Sequence, residues 1–437
     1  MNYSIYSKRT AFLVILTLFS VIFSFGQTAK LPAPRENTLL NGLKLLVWTE
    51  PTAEKVTIKL RVHSGASFDP KDKMGVMAML ADSFFPTDQA KAFFTEDLEG
   101  SLEVTSNYDY IQITATGKQS EVLAMIETMA NAVVNPQLTP ENFKLVSSAR
   151  IAKVQELEKT PAYLAERAVA KRLFGDFPYG RSAEGTAESL AKIDRADLIF
   201  AKERFLSSDN STIAVIGNVK PDFIYRATRQ LFGAWTKSDK KIPATFRQPD
   251  EITKGKQFVE IANSEKAEIY QATRSFARNS KDFPAGLILT EILSNRLKKV
   301  GESFQAETFV NNKSYLLFGT YTTGVKIAPE KAAEFSQKIH QTDFIKPVTD
   351  SEFQESKNLI ISKMSGALNE KHSNADFWLD ADTYKLPNVS QQLTTLQNVT
   401  INDVNAVLKK VFSSAFVETV VGDAAKLKGF VSTNKPN

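Results

Sequence analysis

The sequence contains no cysteine among its 437 residues. This absence excludes disulfide bonds, a lipidated N-terminal cysteine, thiolate catalysis and zinc ligation by cysteine sulfur. Stability must therefore come from burial of apolar side chains, and a chain of this length can form an ample core. Hydrophobic residues make up 43% of the sequence, which is ordinary for a globular protein with room for two or more domains.

Histidine is nearly as scarce, since the chain has only His63, His340 and His372. None of the three lies three or four residues from another, so no helix can present a pair of imidazoles to a metal ion. A serine or threonine nucleophile would need a histidine base, and no sequence signature places one. His63 ends a strand-like run and is predicted to be a surface residue. We expect no chemistry by this chain alone.

The sequence also lacks a strong excess of charge. Its formal net charge is +5, and Lys8 and Arg9 lie in a segment predicted to be removed. Without these two residues the charge is about +3, and no basic run carries interleaved aromatic residues. The composition therefore predicts no nucleic-acid partner.

A long apolar run occurs only near the N-terminus, at residues 11–25, directly after Lys8 and Arg9. It is about 15 residues long, short of the about 20 that span a bilayer. Ser-Phe-Gly at residues 24–26 provides a small-x-small cleavage signal. Residues 1–26 are predicted to be a signal peptide, with an uncleaved anchor as the alternative. We expect a periplasmic or secreted bacterial protein that is not stably inserted in a membrane after cleavage.

The most informative stretch of the chain is residues 71–86. Asp72 can cap a helix here, Pro86 can end it, and the positions between are nearly all apolar. A helix without a polar face must be buried. We therefore predict a buried helix near the centre of the first domain.

Short motifs recur about 205 to 210 residues apart. The strand-like run at residues 212–218 resembles residues 418–423, and the capping pattern at 139–143 resembles that at 349–353. Together they predict a tandem duplication of one α+β unit, with chance matching of short elements as the alternative. The predicted boundaries are a first domain at residues 34–236, a linker at 237–256, and a second domain at 257–430.

Several motifs in a fixed order resemble those of the M16 (pitrilysin/insulinase) family of zinc metallopeptidases, over almost the whole mature chain. They are Asn-Gly-Leu at 41–43, Ser-Gly-Ala at 64–66 with Gly75, Phe-Gly-Asp-Phe-Pro-Tyr-Gly at 174–180 with Gly-Thr at 185–186, Ile-Gly-Asn-Val at 216–219, and Leu-Ser-Asn-Arg-Leu at 293–297. The resemblance implies two homologous α+β domains, each a mainly antiparallel sheet packed with helices, in the form of half a clam shell.

The resemblance also places the family's zinc helix at residues 75–82. With Gly75 as the anchor, Ala78 and Asp82 stand at the two histidine positions and Ala81 stands at the glutamate base. The third ligand position falls on Glu156. A catalytic zinc needs three protein ligands, and alanine can move no proton. The resemblance therefore implies no catalytic residue and no metal in this chain, with zinc expected only in a catalytic partner.

In the family, such an inactive half pairs with a homologous zinc-bearing half around a chamber for unfolded peptides. A peptide binds partly as an added strand on a sheet edge, and that edge position falls on Glu103 and Val104. Arg296 stands at a substrate-gripping arginine, although the tyrosine context of that grip is absent at residues 302–310.

We therefore expect a non-catalytic subunit of an M16-type peptidase pair that binds unfolded peptides. A free-standing peptide-binding or chaperone-like protein is the main alternative, and an active metallopeptidase with an unrecognised site is a lesser one.

Overall fold

The computed structural model describes residues 31–238, 246–252, 255–338 and 345–427. The predicted signal peptide and His340 lie outside these residues. Residues 33–437 group into one unit. No helix within the described part of the chain is long and apolar enough to cross a membrane.

The described residues of the first half form a six-stranded sheet and eight α-helices. The strands are β1 (Arg35–Thr38), β2 (Lys44–Thr49), β3 (Lys55–Val62), β4 (Ser101–Ser106), β5 (Ile111–Lys118) and β6 (Ser211–Gly217). The helices are α1 (Val76–Asp82), α2 (Asp88–Ala92), α3 (Val122–Val134), α4 (Pro140–Leu157), α5 (Pro161–Phe174), α6 (Ala187–Ala191), α7 (Arg195–Phe205) and α8 (Pro221–Phe232).

The second half repeats this plan with five strands. The strands are β7 (Gly255–Glu260), β8 (Ala267–Ser275), β9 (Glu307–Ser314), β10 (Gly319–Ile327) and β11 (Val417–Gly422). The described helices are α9 (Phe283–Phe304), α10 (Ala332–Lys338), α11 (Asp350–Asn369), α12 (Lys371–Tyr384), α13 (Val389–Gln397) and α14 (Ile401–Ser413).

The order of the strands confirms the predicted duplication. The first sheet runs β1-β2-β6-β3-β5-β4 and the second runs β7-β11-β8-β10-β9, so that the two match once β1 is set aside. In each sheet one pair is parallel, β2 with β6 and β7 with β11, and the other pairs are antiparallel. Thr139 and Thr349 cap α4 and α11, as their sequence patterns predict. The fold is α+β with two homologous halves.

The central helix α1 is buried as predicted but shorter. Every residue from Val76 to Ala81 is buried, and the helix spans only seven residues. Its start was wrongly assigned to Asp72, which is exposed. The Asp69 carboxylate instead accepts hydrogen bonds from the Gly75 N–H at 2.7 Å and the Met77 N–H at 2.9 Å. Asp69 can reach past Asp72 because Gly75 takes a left-handed conformation at φ 96°.

One helix from each half packs on the sheet of the other half. Helix α5 packs on the second sheet in a cluster that includes Val169, Tyr270 and Val421. Helix α12 packs on the first sheet, where Trp378 meets Trp48 edge to face with ring centroids 6.3 Å apart. The exchange joins the halves through two apolar contacts, which explains why they form one unit.

Ion pairs between β3 and α12 add to the packing of α12 on the first sheet. Lys59 Nζ lies 2.7 Å from Asp376, and Arg61 Nη1 lies 2.7 Å from Asp380. Both cations come from β3 and are nearly fully buried. Removing the carboxylate of either pair would leave a buried cation on β3 poorly solvated, so these pairs favour the packing of α12 on the first sheet.

The prediction that His63 lies on the surface is wrong. Its ring is enclosed between the two halves, where Nδ1 lies 2.9 Å from Thr383 Oγ1 and Nε2 lies 3.0 Å from Thr212 Oγ1. Burial, with Arg61 nearby, lowers the pKa of His63 well below its usual range. His63 is therefore a neutral structural residue that bridges β6 and α12.

Candidate functional site

A cleft of about 550 Å³ lies beside α1, at the position where the resemblance places the family's metal. Its walls come from α1, α4 and the edge strand β4, and include Ala81, Asp82, Val104 and Arg150. Ala78 and Ala81 are each 2% exposed, so both are packed into the core. The residues of α1 that line the cleft are Ala81 and Asp82, so Asp82 is the one polar side chain that α1 contributes to it.

Arg150 from α4 fills the part of the cleft next to α1. Its guanidinium contacts Asp82 Oδ2 through Nε at 2.7 Å and Nη2 at 2.6 Å. Nη1 lies 2.5 Å from Glu184 Oε2, and Nη2 also donates to the Ala78 carbonyl oxygen at 3.2 Å. The side chain of Arg150 is 5% exposed. A fixed positive charge thus covers the helical face that carries residues 78 and 82.

The charges in this cluster compensate one another. Burial raises the pKa of Asp82, and the neighbouring Arg150 opposes that shift. Lys153, one turn along α4, lies 3.1 Å from Glu184. An arginine is never deprotonated in proteins, so its positive charge opposes the binding of a cation at this cluster.

Glu156 does not reach the cleft. Its side chain is exposed and pairs with Lys159 at 2.6 Å. The residues of α4 that line the cleft are instead Leu145, Val146, Ala149, Arg150 and Lys153, all earlier on the helix. Among the residues that the structure describes, no group of three or more His, Cys, Asp or Glu side chains could hold a metal ion.

The purified mature chain is expected to retain no stoichiometric zinc. The expectation follows from Arg150, whose charge occupies the cleft, and from the absence of imidazole ligands on α1. Elemental analysis after dialysis against metal-free buffer measures it, with a zinc-bearing M16 peptidase treated in parallel as the control. A value near one zinc per chain would refute this expectation.

Strand β4 is the outer strand of the first sheet. Val104 faces the cleft beside Leu102, whereas Glu103 is exposed on the opposite face, across from Thr114. Within the described part of the chain β4 pairs only with β5. An edge strand with free backbone groups is the element that an extended peptide can join.

Arg296 is engaged in contacts within the second half. Its side chain is buried and forms a bidentate ion pair with Glu352. Nε donates to Oε1 at 2.7 Å, and Nη2 donates to Oε2 at 2.8 Å. Nη1 also donates to the Lys346 carbonyl oxygen at 2.9 Å. The hydrogen bonds from Arg296 lower the pKa of Glu352 to about 2. Arg296 thus anchors the N-terminus of α11, and the substrate contact implied for it stays a prediction.

A second cavity of about 640 Å³ opens between the two halves, and we call it the inter-half pocket. It lies between α5, the turn after β4, and strands β9 and β10. Five tyrosines and two phenylalanines line it. Three of these rings, Tyr108, Tyr179 and Tyr315, lie with centroids 4.8 to 5.2 Å apart. Sequence reasoning missed this pocket, since its walls come from distant parts of the chain.

Asp109 lies at the centre of the contact between the halves. It is 5% exposed, and its Oδ1 accepts a hydrogen bond from the Tyr179 hydroxyl at 3.2 Å. Its Oδ2 accepts from the Leu316 N–H of the second half at 3.3 Å. Burial raises the pKa of Asp109 to about 7, although both hydrogen bonds favour the charged form.

This pKa predicts a pH dependence of stability. Between the unfolded pKa of about 4 and the folded value of about 7, the folded chain holds a proton that the unfolded chain has lost. The contribution of Asp109 to stability is therefore present at pH 5 and lost as the pH rises towards 8. Relative to Asp109→Asn, the wild type should lose about 2 kcal/mol of unfolding free energy over this range.

Urea unfolding of both proteins at pH 5 and pH 8 measures this difference. Comparing the two proteins cancels the opposite contribution of His63, which favours the folded state as the pH rises towards 6.5. Equal changes in the wild type and in Asp109→Asn would contradict the assignment.

Two duplicated α+β halves, with a cleft beside a buried helix of the first half, define a two-domain fold of the metallopeptidase type. Comparisons with known proteins identify the family. The family model "Insulinase (Peptidase family M16)" matches residues 44–187, and "Peptidase M16 inactive domain" matches residues 192–360. The chain belongs to peptidase family M16.

Curated relatives are distant. A probable mitochondrial-processing peptidase subunit beta from Arabidopsis thaliana is 21% identical over 48% of this chain and 41% of its own length. The chain thus spans less than half of that relative. An uncharacterized zinc protease from Rickettsia bellii is 20% identical over 90% of this chain and 98% of its own length.

The fold also matches that of solved structures. A peptidase M16 inactive domain from Pseudomonas fluorescens superimposes with a TM-score of 0.78 at 18% identity. The match covers 92% of this chain and all of that one. At this identity the likeness concerns the fold, and it agrees with the two-domain α+β architecture described above.

Proposed function

We propose that this chain is the non-catalytic subunit of an exported M16-type peptidase pair, which forms one wall of a chamber for unfolded peptides. The proposal rests chiefly on one observation. Arg150 occupies the cleft beside α1, while the edge strand that a peptide would join is kept. A chain selected only for a stable fold has no need of an uncovered edge strand, which is a liability for aggregation.

The partner in this proposal is a homologous subunit that carries His-x-x-Glu-His and one zinc ion. Zinc and the general base belong to that partner, and this chain supplies surface for binding. One relative named above is itself called a subunit of a processing peptidase, which supports pairing as a mode of action. Export to the periplasm or beyond rests on the signal-like residues 1–26.

A paired activity assay tests the proposal. The zinc-bearing M16 homologue encoded in the same genome is assayed on an unstructured peptide of about 30 residues and on one of about 8. Addition of this chain should raise the rate on the long peptide more than on the short one, because only a long extended peptide reaches both walls of the chamber.

Matched substitutions locate the effect on β4. Val104→Lys places a charge at the edge strand where it lines the cleft, and should reduce the stimulation. Leu359→Lys makes the same chemical change at an exposed position on α11 and should leave the stimulation intact. If the rate on long peptides is the same with and without this chain, the subunit proposal fails. A free-standing peptide-binding protein then becomes the better account.

A further inference from the structure

We infer that the inter-half pocket binds a large apolar or aromatic side chain of a peptide that pairs with β4. The inference rests on the proposed peptide-binding function and adds a preference for the kind of peptide. It assigns to the pocket a role independent of the cleft beside α1.

The inter-half pocket lies next to the C-terminal end of β4. Val104 lines the cleft and Ser106, two residues further on the same face of the strand, lines the inter-half pocket. Two residues of a strand span about 7 Å. A peptide added to this edge has the same spacing, so a side chain over the cleft is followed, two residues later, by one directed at the pocket.

The lining favours an uncharged ring. Tyr108 and Tyr315 are partly exposed in the pocket wall and pack edge to face, with ring centroids 5.2 Å apart, so an added ring would extend an aromatic cluster. A volume of about 640 Å³ accommodates an aromatic side chain with space remaining. Aromatic residues bury the largest apolar area per side chain, so they gain most from such a site.

The charged residues around the pocket are already paired. Glu166 forms an ion pair with Lys313, and Glu184 is bound by Arg150 and Lys153. Arg167 donates to the Arg181 carbonyl oxygen at 2.7 Å. A charged ligand would have to displace one of these contacts, whereas an apolar side chain displaces none.

One polar group of the pocket wall lacks a partner. Ser106 Oγ is buried and forms no hydrogen bond with any described residue. An unpaired buried hydroxyl is costly, so the end of β4 next to the pocket is not fully stabilised by the described residues. The pocket thus combines aromatic walls with polar side chains, several of which are already paired with one another.

Direct binding to the wild-type chain tests the inference. Two labelled, unstructured peptides of about 20 residues differ only at one central position, which is Trp in one and Ala in the other. Fluorescence anisotropy should show the Trp peptide binding at least about tenfold more tightly, as expected for burial of one large side chain.

A blocking variant locates the site. Asn311 is exposed on β9 and lines the pocket, and Asn311→Trp places an indole there on a strand position that tolerates aromatic residues. The variant should bind the Trp peptide no better than the Ala peptide. The control is Lys281→Trp, an equally exposed position beside a separate cavity of about 620 Å³, which should keep the wild-type preference.

The outcomes separate this inference from the proposed function. Equal binding of the Trp and Ala peptides, no binding of either, or an unchanged preference in Asn311→Trp would each overturn the assignment of the pocket. A similar loss in Lys281→Trp would also overturn it, because the effect would not be local. The rate of the zinc-bearing partner on long peptides tests the proposed function independently of these results.

Discussion

Arg150→Ala is expected to lower the free energy of unfolding by about 2–3 kcal/mol. The substitution removes a buried guanidinium and leaves Asp82 and Glu184 without their main partner. Breaking a fully buried pair costs more, but these carboxylates are 37% and 30% exposed, so water compensates in part. Part of the loss comes from the apolar stem of the arginine.

Chemical denaturation monitored by circular dichroism measures this loss. Lys153→Ala is the matched control, since Lys153 lies on the same helix, contacts the same Glu184 and is 55% exposed. An exposed pair of this kind contributes at most about 1 kcal/mol. Equal effects of the two substitutions would show that Arg150 does not hold the cleft together.

Restoring the zinc motif on α1 alone is expected to fail. The triple variant Ala78→His, Ala81→Glu and Asp82→His should bind no zinc and lose more than about 3 kcal/mol of stability. Ala78 and Ala81 are each 2% exposed, so the helix has no space for larger polar groups. The Arg150 guanidinium would also remain where the cation has to lie.

Adding Arg150→Glu to the triple variant provides the comparison. This change removes the positive charge and supplies a third ligand of the type that catalytic zinc accepts. Zinc retained by the soluble, folded fraction should rise from none towards one per chain, as measured by elemental analysis. Zinc retained by the triple variant with Arg150 intact would show that the arginine does not exclude the metal.

Local patterns in the sequence predicted much of the fold. Thr139 and Thr349 act as helix caps, and the apolar run after Gly75 forms a buried helix. The spacing of about 205 to 210 residues between motifs corresponds to two sheets with matching strand order. Each of these features depends on residues close in sequence, or on a repeat that can be counted along the chain.

Features that depend on distant contacts could not be predicted in this way. Arg150 and Asp82 lie 68 residues apart, and Arg61 and Asp380 lie 319 apart. The burial of Arg296 could not be predicted either, because its partner Glu352 lies 56 residues away. The neighbouring sequence does not distinguish a buried, paired arginine from an exposed one. The carboxylate that pairs with the arginine is distant in sequence and reaches it only when the chain folds.

The exchange of α5 and α12 bears on the proposed function. Each helix belongs in sequence to one half and packs on the sheet of the other. Both walls of the inter-half pocket are therefore held at a fixed separation before any ligand binds. A preformed surface reduces the ordering that peptide binding requires.

We propose above that this chain is a metal-free half of a two-chain M16 peptidase. Native mass spectrometry of the chain mixed with the zinc-bearing homologue from the same genome tests it most directly. We expect a complex that contains one copy of each chain and a single zinc ion. We expect this chain alone to carry no zinc. A mixture that shows only separate chains, or zinc retained by this chain alone, would contradict it.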